Sequence, residues 1–279
     1  MSSYVDLHLH TNRSDGSDPP EKVVDRAISC GFAGIAITDH DTVTGVEPAG
    51  REARLHGIEF IDGVEISALF GRIEVHVVGL GINVRHEPLT RKLLTFHETR
   101  AERVDRMIER LNVLGIPIER AEVEIQAGKA GALGRVHVAR ALVAREVVKT
   151  VQQAFDKFLR SGRKAYVPKR MISCRDAIEL IHDAGGLAFL AHPGVGATLS
   201  KMLPRLLNLP FDGIEVYHTQ HTPGHVTQFT QVAMERDLLI SGGSDCHGTA
   251  LKEDSDMGKV RVPYYHFQRI LDRLNKKAR

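Results

Sequence analysis

Strand-like and helix-like periodicities alternate along most of this chain, and the strand-like runs carry histidines and carboxylates at or near their ends. YVDLHLH (4–10) has period two, with Leu7 and Leu9 on one face and Asp6, His8 and His10 on the other. GIAIT (34–38) runs into Asp39-His40-Asp41, IEFIDGVEIS (58–67) closes on Glu65, and RIEVHVVGLG (72–81) holds His76. Later, LAFLAHP (187–193) reaches His192, DGIEVYH (212–218) reaches His218, and LLISGGSDCHG (238–248) reaches Asp245 and His247. Helical stretches separate them: Pro19-Pro20-Glu21 opens one that Gly31 ends, and others span about 45–56, 173–184, 198–208, 222–236 and 263–277. Such alternation predicts a parallel sheet or a β/α barrel. Between 88 and 165 it stops. Charged helical runs (Arg91–Leu114, Arg135–Val148, Val151–Leu159) follow one another with no convincing strand. The expected organisation is therefore a barrel from 1–87 and 166–279, with an all-helical insertion at 88–165 that contributes to substrate binding.

Composition narrows the class. With 279 residues, 42% of them hydrophobic and 26% charged, the chain can bury a large core without disulfide or metal staples, and disorder is excluded as its main state. No apolar run approaches the roughly 20 residues of a membrane helix. MSSYVDLHLHT lacks the charged-then-apolar order of a signal peptide, and Cys30, Cys174 and Cys246 form no CxxC, so a reducing, cytoplasmic setting is expected. Residues 85–175 hold 20 Lys+Arg against 10 Asp+Glu, a balance of +10, while the remainder holds 17 against 25, or −8. A basic middle between acidic flanks suggests an anionic ligand gripped by one part and processed by carboxylates in another. The near-neutral total argues against indiscriminate coating of nucleic acid.

Barrel enzymes place catalytic groups at the C-terminal ends of their strands and in the loops that follow. His8, His10, Asp15, His40, Glu65, His76, His192, Asp245 and His247 all fall at such places. Singly, each also fits a structural role: a satisfied core histidine, a helix cap, a salt-bridged glutamate. Jointly, six histidines and three carboxylates in this order point to metal, because without one the cluster would bury several polar groups uncompensated. Imidazole and carboxylate without thiolate suit Mn²⁺, Fe²⁺ or Zn²⁺. Nine ligands are too many for one ion and fit two or three, with Glu65 bridging. Cys246, between two ligands, is expected on the opposite face of its strand, in the core.

The segments DLHLHTNRSDGSDPP, GIAITDHD, GVEIS, HVVGLG, AHPG and SDCHG together resemble the PHP-domain (polymerase and histidinol phosphatase) phosphoesterases. The resemblance spans nearly the whole chain outside the helical insert. It implies a distorted (β/α)₇ barrel with a trinuclear metal site, most simply manganese, on its C-terminal face. It also implies a grouping of His8, His10, Glu65 and Asp245 on one ion, Glu65, His76 and His192 on a second, and Asp15, His40 and His247 on a third. Asp39 would orient an imidazole from behind. Within the superfamily, the stand-alone branch with GRVHVARAL in its insert is the nearest in pattern. That branch includes 3′,5′-nucleoside bisphosphate phosphatases and 5′→3′ exoribonucleases acting on short RNA. The implied reaction is hydrolysis of the 3′-phosphate of a substrate such as adenosine 3′,5′-bisphosphate by direct attack of a metal-bridging hydroxide, with no phosphoenzyme.

Remaining candidates follow from that chemistry. His218, at another strand end, is a candidate to protonate the leaving oxygen. Arg135, Lys164 and Arg170 are candidates to bind the phosphate not held by metal, since Arg grips phosphate bidentately, and Asn12 and Arg13 lie in the loop beside Asp15. No membrane and no obligate protein partner are implied. A histidinol-phosphate phosphatase would use the same metals. A C–N hydrolase is less consistent, because no lysine occupies a barrel strand. A catalytically silent RNA-binding module is opposed by the complete ligand set and by the absence of an RRM or KH signature.

Overall fold

The computed structural model describes residues 3–127, 133–168, 171–248 and 256–277. The chain divides into two compact units, residues 1–92 with 171–279 and residues 93–170.

The first unit is built on strands β1 (Tyr4–Leu9), β2 (Gly34–Ile37), β3 (Glu59–Phe70), β4 (Ile73–Leu80), β5 (Ile172–Ser173), β6 (Leu187–Leu190), β7 (Gly213–His218), β8 (Leu239–Gly243) and β9 (Val262–Pro263). Their order in the sheet is β8-β7-β6-β4-β3-β2-β1-β9, with β5 beside β3. The ends of that path come together: Asp245 N donates to His8 O (2.9 Å) and His10 N to Cys246 O (3.1 Å). The result is a mixed α/β fold around a nearly closed, barrel-shaped sheet, the class that the periodicity and the family resemblance imply. Helices α1 (Pro20–Ser29), α2 (Val46–His56), α7 (Cys174–Asp183), α8 (Ala197–Leu206), α9 (Pro223–Glu235) and α10 (Tyr264–Lys277) connect or flank the strands.

Local chemistry sets many of these boundaries. Pro20 sits at the first position of α1, where a missing N–H costs nothing, and Gly57 ends α2 in the left-handed region (φ +70°). Ser173 Oγ accepts from Asp176 N (3.1 Å) to cap α7, and Thr222 Oγ1 accepts from His225 N (3.2 Å) to cap α9. Two apolar clusters surround the sheet. One joins Val5, Leu7, Val78 and Phe189 to Phe267 and Ile270 of α10. The other packs Val23, Val24 and Ala27 of α1 and Ala49 and Ala53 of α2 against Leu9, Ile35 and Ile37.

The sheet is not uniformly parallel. β4 runs antiparallel to both β3 and β6. The sequence pattern places Glu65 at a strand end, but β3 continues to Phe70 and turns at Gly71 (φ +63°) into a hairpin with β4. Glu65 therefore lies in mid-strand. Because β4 returns in the opposite direction, His76 in its first half stands across from Ser67, two residues beyond Glu65, at the same end of the sheet. The two-residue strands β5 and β9 are too short to carry a period, and sequence patterning does not reveal them.

The second unit contains most of α3 (Glu87–Val113), then α4 (Arg120–Ala127), α5 (Arg135–Ala144) and α6 (Val151–Ala154), which runs on as a π-turn at Phe155–Leu159. α4 is an addition to the helices read from sequence. This unit has its own core, formed by Val104, Met107, Leu111, Val123, Val138, Leu142 and Leu159 among others. Among the described residues, no helix is long and apolar enough to cross a membrane.

Candidate metal centre

Glu65 is the hub of the site. Wholly buried on β3, its Oε2 lies 2.8 Å from His40 Nδ1, 3.3 Å from His8 Nε2 and 3.4 Å from His10 Nε2. Its Oε1 lies 2.9 Å from His76 Nδ1 and 3.1 Å from His192 Nε2. Five imidazoles from four strands and their loops thus converge on one carboxylate. Asp245 Oδ1 adds a second acid, 3.0 Å from His10 Nε2 and 3.5 Å from His8 Nε2. Asp15 adds a third, with Oδ1 3.2 Å from His247 Nε2 and Oδ2 3.8 Å from His40 Nε2. All nine residues expected to hold metal are therefore brought together.

Their sub-grouping is denser than three separate sets. Ligand atoms within 4.8 Å of one another occur in His10–Asp15–His40–His247, in His8–His10–Glu65 and in His40–Glu65–His76. His10 and His40 each belong to two groups. Their rings stack (centroids 4.6 Å apart), and His10 stacks on His247 as well (4.2 Å).

The residues fit divalent metal on two observations. Glu65 Oε2 sits close to three imidazole nitrogens yet is in hydrogen-bond geometry with none of them. His8 Nε2 and His10 Nε2 face each other at 3.1 Å, where two lone pairs repel unless a proton or cation intervenes. Ring orientation agrees. His247 Nδ1 donates to its neighbour Asp245's carbonyl (2.9 Å), leaving Nε2 turned toward Asp15. His8 Nδ1 donates to Glu215 Oε1 (2.8 Å), leaving Nε2 turned into the cluster. A histidine that ligates metal with one nitrogen commonly gives its other N–H to such an acceptor.

Electrostatics reinforce the arrangement. Burial disfavours the Glu65 carboxylate, but His40, His76 and His8, with a hydrogen bond to His192, hold it well below the usual carboxylate range. Asp15 and Asp245 are also held low against burial, the first by His40 and His247, the second by His8 and His10. Burial and the neighbouring His247 push His10 down to about 4. Against its burial, His247 is raised to about 10, chiefly by Asp15. The three carboxylates are thus ionised donors, the state that a cation requires of them.

Two residues at the site have unusual backbones. His192 has φ +28° and Asp245 φ +54°, a left-handed conformation that non-glycine residues adopt at a cost. Gly243 explains how β8 comes so close: a Cβ there would meet His8 N at 2.4 Å and Asp6 Oδ1 at 2.5 Å.

One expected role is corrected. Asp39 does not orient an imidazole. Its oxygens accept from Thr11 N (2.7 Å), Thr11 Oγ1 (2.7 Å) and Ser14 Oγ (2.6 Å), so it clamps the loop that carries Asp15. His218, the candidate acid, has Nδ1 accepting from Gln220 N (3.1 Å) and Nε2 facing Asp245 Oδ2 (3.3 Å). It supports Asp245. Cys246 is buried with α1 and α2, as expected, but it lies beyond the end of β8 and not on a face of that strand.

The phosphate-binding candidates fall in both units. Arg135 begins α5 after Gly134, half-buried, with its guanidinium 5.9 Å from the Phe155 ring centre. Lys164 is exposed, and Arg170 lies outside the described residues. In the β1 loop, Arg13 is exposed and Asn12 half-buried, the buried Oδ1 of Asn12 having no hydrogen-bond partner. Sequence reasoning missed Glu215 and Asp6. Asp6 Oδ1 accepts from Ser244 N (2.9 Å) and His8 N (3.3 Å), joining β1 to β8. The available signal was an acid inside an otherwise apolar strand, IEVY for Glu215 and YVDL for Asp6.

A barrel mouth lined by ionised carboxylates and inward-facing imidazoles, with no thiolate, defines a metal-dependent phosphoesterase of the PHP type. The PHP domain family model matches residues 6–166, and the chain belongs to that family; it is a phosphoric ester hydrolase. The 5′-3′ exoribonuclease Rnm of Escherichia coli is 37% identical over 250 residues, which is 87% of this chain and 84% of that protein. The 3′,5′-nucleoside bisphosphate phosphatase of Chromobacterium violaceum is 37% identical over 248 residues, 87% of each chain. A crystal structure from Bifidobacterium adolescentis, assigned to the metal-dependent phosphoesterases, superposes with a TM-score of 0.84 at 30% identity, covering 98% of this chain and 97% of that one.

Proposed function

We propose that this enzyme removes the 3′-phosphate of 3′,5′-nucleoside bisphosphates such as adenosine 3′,5′-bisphosphate, releasing the 5′-nucleotide and phosphate. The observation that carries the reading is the convergence of five imidazoles on Glu65, with Asp15 and Asp245 at either side. His8, His10, Asp15, His40, Glu65, His76, His192, Asp245 and His247 would hold two or three divalent ions, Mn²⁺ first among the candidates and Fe²⁺ or Zn²⁺ next. Such ions, when bound, lower the pKa of water and neutralise charge on phosphoryl oxygens.

The side chains supply the rest. Glu65, reached from two sides, keeps the imidazoles in register. Asp39 fixes the β1 loop through Thr11 and Ser14, and so holds Asp15. His218 steadies Asp245. The +10 balance over residues 85–175 supports an anionic substrate. The named activity of the C. violaceum relative supports this substrate class.

A second reading is 5′→3′ removal of nucleotides from short RNA, favoured by the equally similar E. coli exoribonuclease. The deciding experiment offers the Mn²⁺-supplemented protein adenosine 3′,5′-bisphosphate, a short 5′-phosphorylated RNA and histidinol phosphate. Phosphate release from the bisphosphate with the highest kcat/KM is expected. Preferential mononucleotide release from RNA would favour the second reading, and turnover of histidinol phosphate alone would overturn both.

A further inference from the structure

We propose that Glu215 is a positioning residue that sets two arms of the metal centre at once, the ring of His8 and the backbone of His192. The inference rests on the reading that these histidines hold metal. Glu215 is wholly buried on β7, and no lysine or arginine pairs with it among the described residues. Its Oε1 accepts from His8 Nδ1 and its Oε2 from His192 N, both at 2.8 Å. The first bond puts the Nδ1 proton of His8 on the outside, so that Nε2 presents its lone pair beside Glu65 and His10. The second satisfies a backbone N–H in a residue held at φ +28°, the conformation from which His192 Nε2 reaches Glu65 Oε1 at 3.1 Å.

The same loop is held a second time from the segment after β7. His221 Nε2 accepts from Gly194 N (3.1 Å), while its Nδ1 donates to Val216 O (2.8 Å). With His218 against Asp245, the β7 segment contributes three side chains that brace ligands. An isolated buried carboxylate is costly, and an apolar residue would fill the same volume. What an apolar residue lacks is a pair of acceptors facing opposite ways.

Glu215→Gln isolates that property. Glutamine has the same shape but one acceptor oxygen. Its NH₂ must face either His8 Nδ1, forcing the proton onto Nε2 and into the cluster, or the His192 N–H, setting donor against donor. The test uses zinc, which is diamagnetic, with affinity measured by chelator competition and ring protons by long-range ¹H–¹⁵N spectra of histidine-labelled protein. Wild-type protein is expected to take up zinc and to show an exchange-protected proton on His8 Nδ1. Glu215→Gln is expected to bind zinc about 10–100-fold more weakly and to lose that protection. Zinc affinity within about twofold of wild type in a folded variant overturns the proposal and leaves the metal reading intact. Should the variant not fold, the wild-type spectrum decides, because His8 protonated on Nε2 overturns the proposal. Wild-type protein that takes up no zinc, manganese or iron overturns the metal reading and this inference with it.

Discussion

Glu65 concentrates the chemistry of the site in one side chain, and the flanking ligands should be equally unforgiving. His8→Ala and Asp245→Ala each remove a donor that cannot be replaced from the same direction. Loss of metal-supplied stabilisation of about 4 kcal/mol or more should lower phosphate release on the order of 10³-fold. Circular dichroism should show the fold retained; wild-type turnover in either variant would contradict the ligand assignment. Away from the site, His266 on α10 is buried with neither ring nitrogen hydrogen-bonded, and burial, with Arg269 nearby, pushes it down to about 4. Above pH 6.5 the ring is neutral in folded and unfolded chains alike. Between 6.5 and 4 only the unfolded chain takes the proton, so this histidine subtracts stability as pH falls. His266→Leu should therefore gain urea resistance relative to wild type between pH 7 and pH 4.5, and a constant difference across that range would refute the assignment. At this scale the residues that converge on Glu65 were legible, because metal chemistry restricts the types worth looking for. The supporting residues were not: Glu215 stands alone in an apolar strand, and what it touches lies on β1 and after β6, 207 residues away along the chain in the case of His8.

Strands and loops explain how distant ligands share one mouth. The strand–helix alternation was readable from period and turn residues, whereas the antiparallel β4 was not, since a strand's own pattern carries no record of its neighbour's direction. That reversal matters, because it lets His76 join Glu65 from the adjacent strand. Barrel closure depends on another feature, the absence of a side chain at residue 243. Gly243→Ala should force β8 away from His8 and Asp6, costing about 1–3 kcal/mol through overpacking. The same variant should release metal more readily to a chelator, because Asp245 and His247 follow that strand. Unchanged stability and unchanged metal retention together would show that the strands can separate without consequence.

Over the whole molecule, charge and core are partitioned alike. The basic stretch largely coincides with a helical unit that has its own apolar cluster, centred on residues such as Leu111. Leu111→Ala should cost about 2–5 kcal/mol and lower the urea midpoint. Metal uptake under native conditions should persist, because every proposed ligand belongs to the other unit; loss of uptake in that variant would mean the two cores are not independent. The helical character of the insert was legible from its charged helical runs, but α4 was not, its eight residues including a single buried one, Val123.

The central claim concerns what Glu65 and its five imidazoles are for. Diffraction from manganese-soaked crystals, recorded at an energy where manganese scatters anomalously, tests it most directly. Two or three anomalous peaks within coordination distance of Glu65, His8, His40 and His192 are the expected result. A cluster free of anomalous density, in crystals where manganese binds elsewhere or not at all, would contradict it.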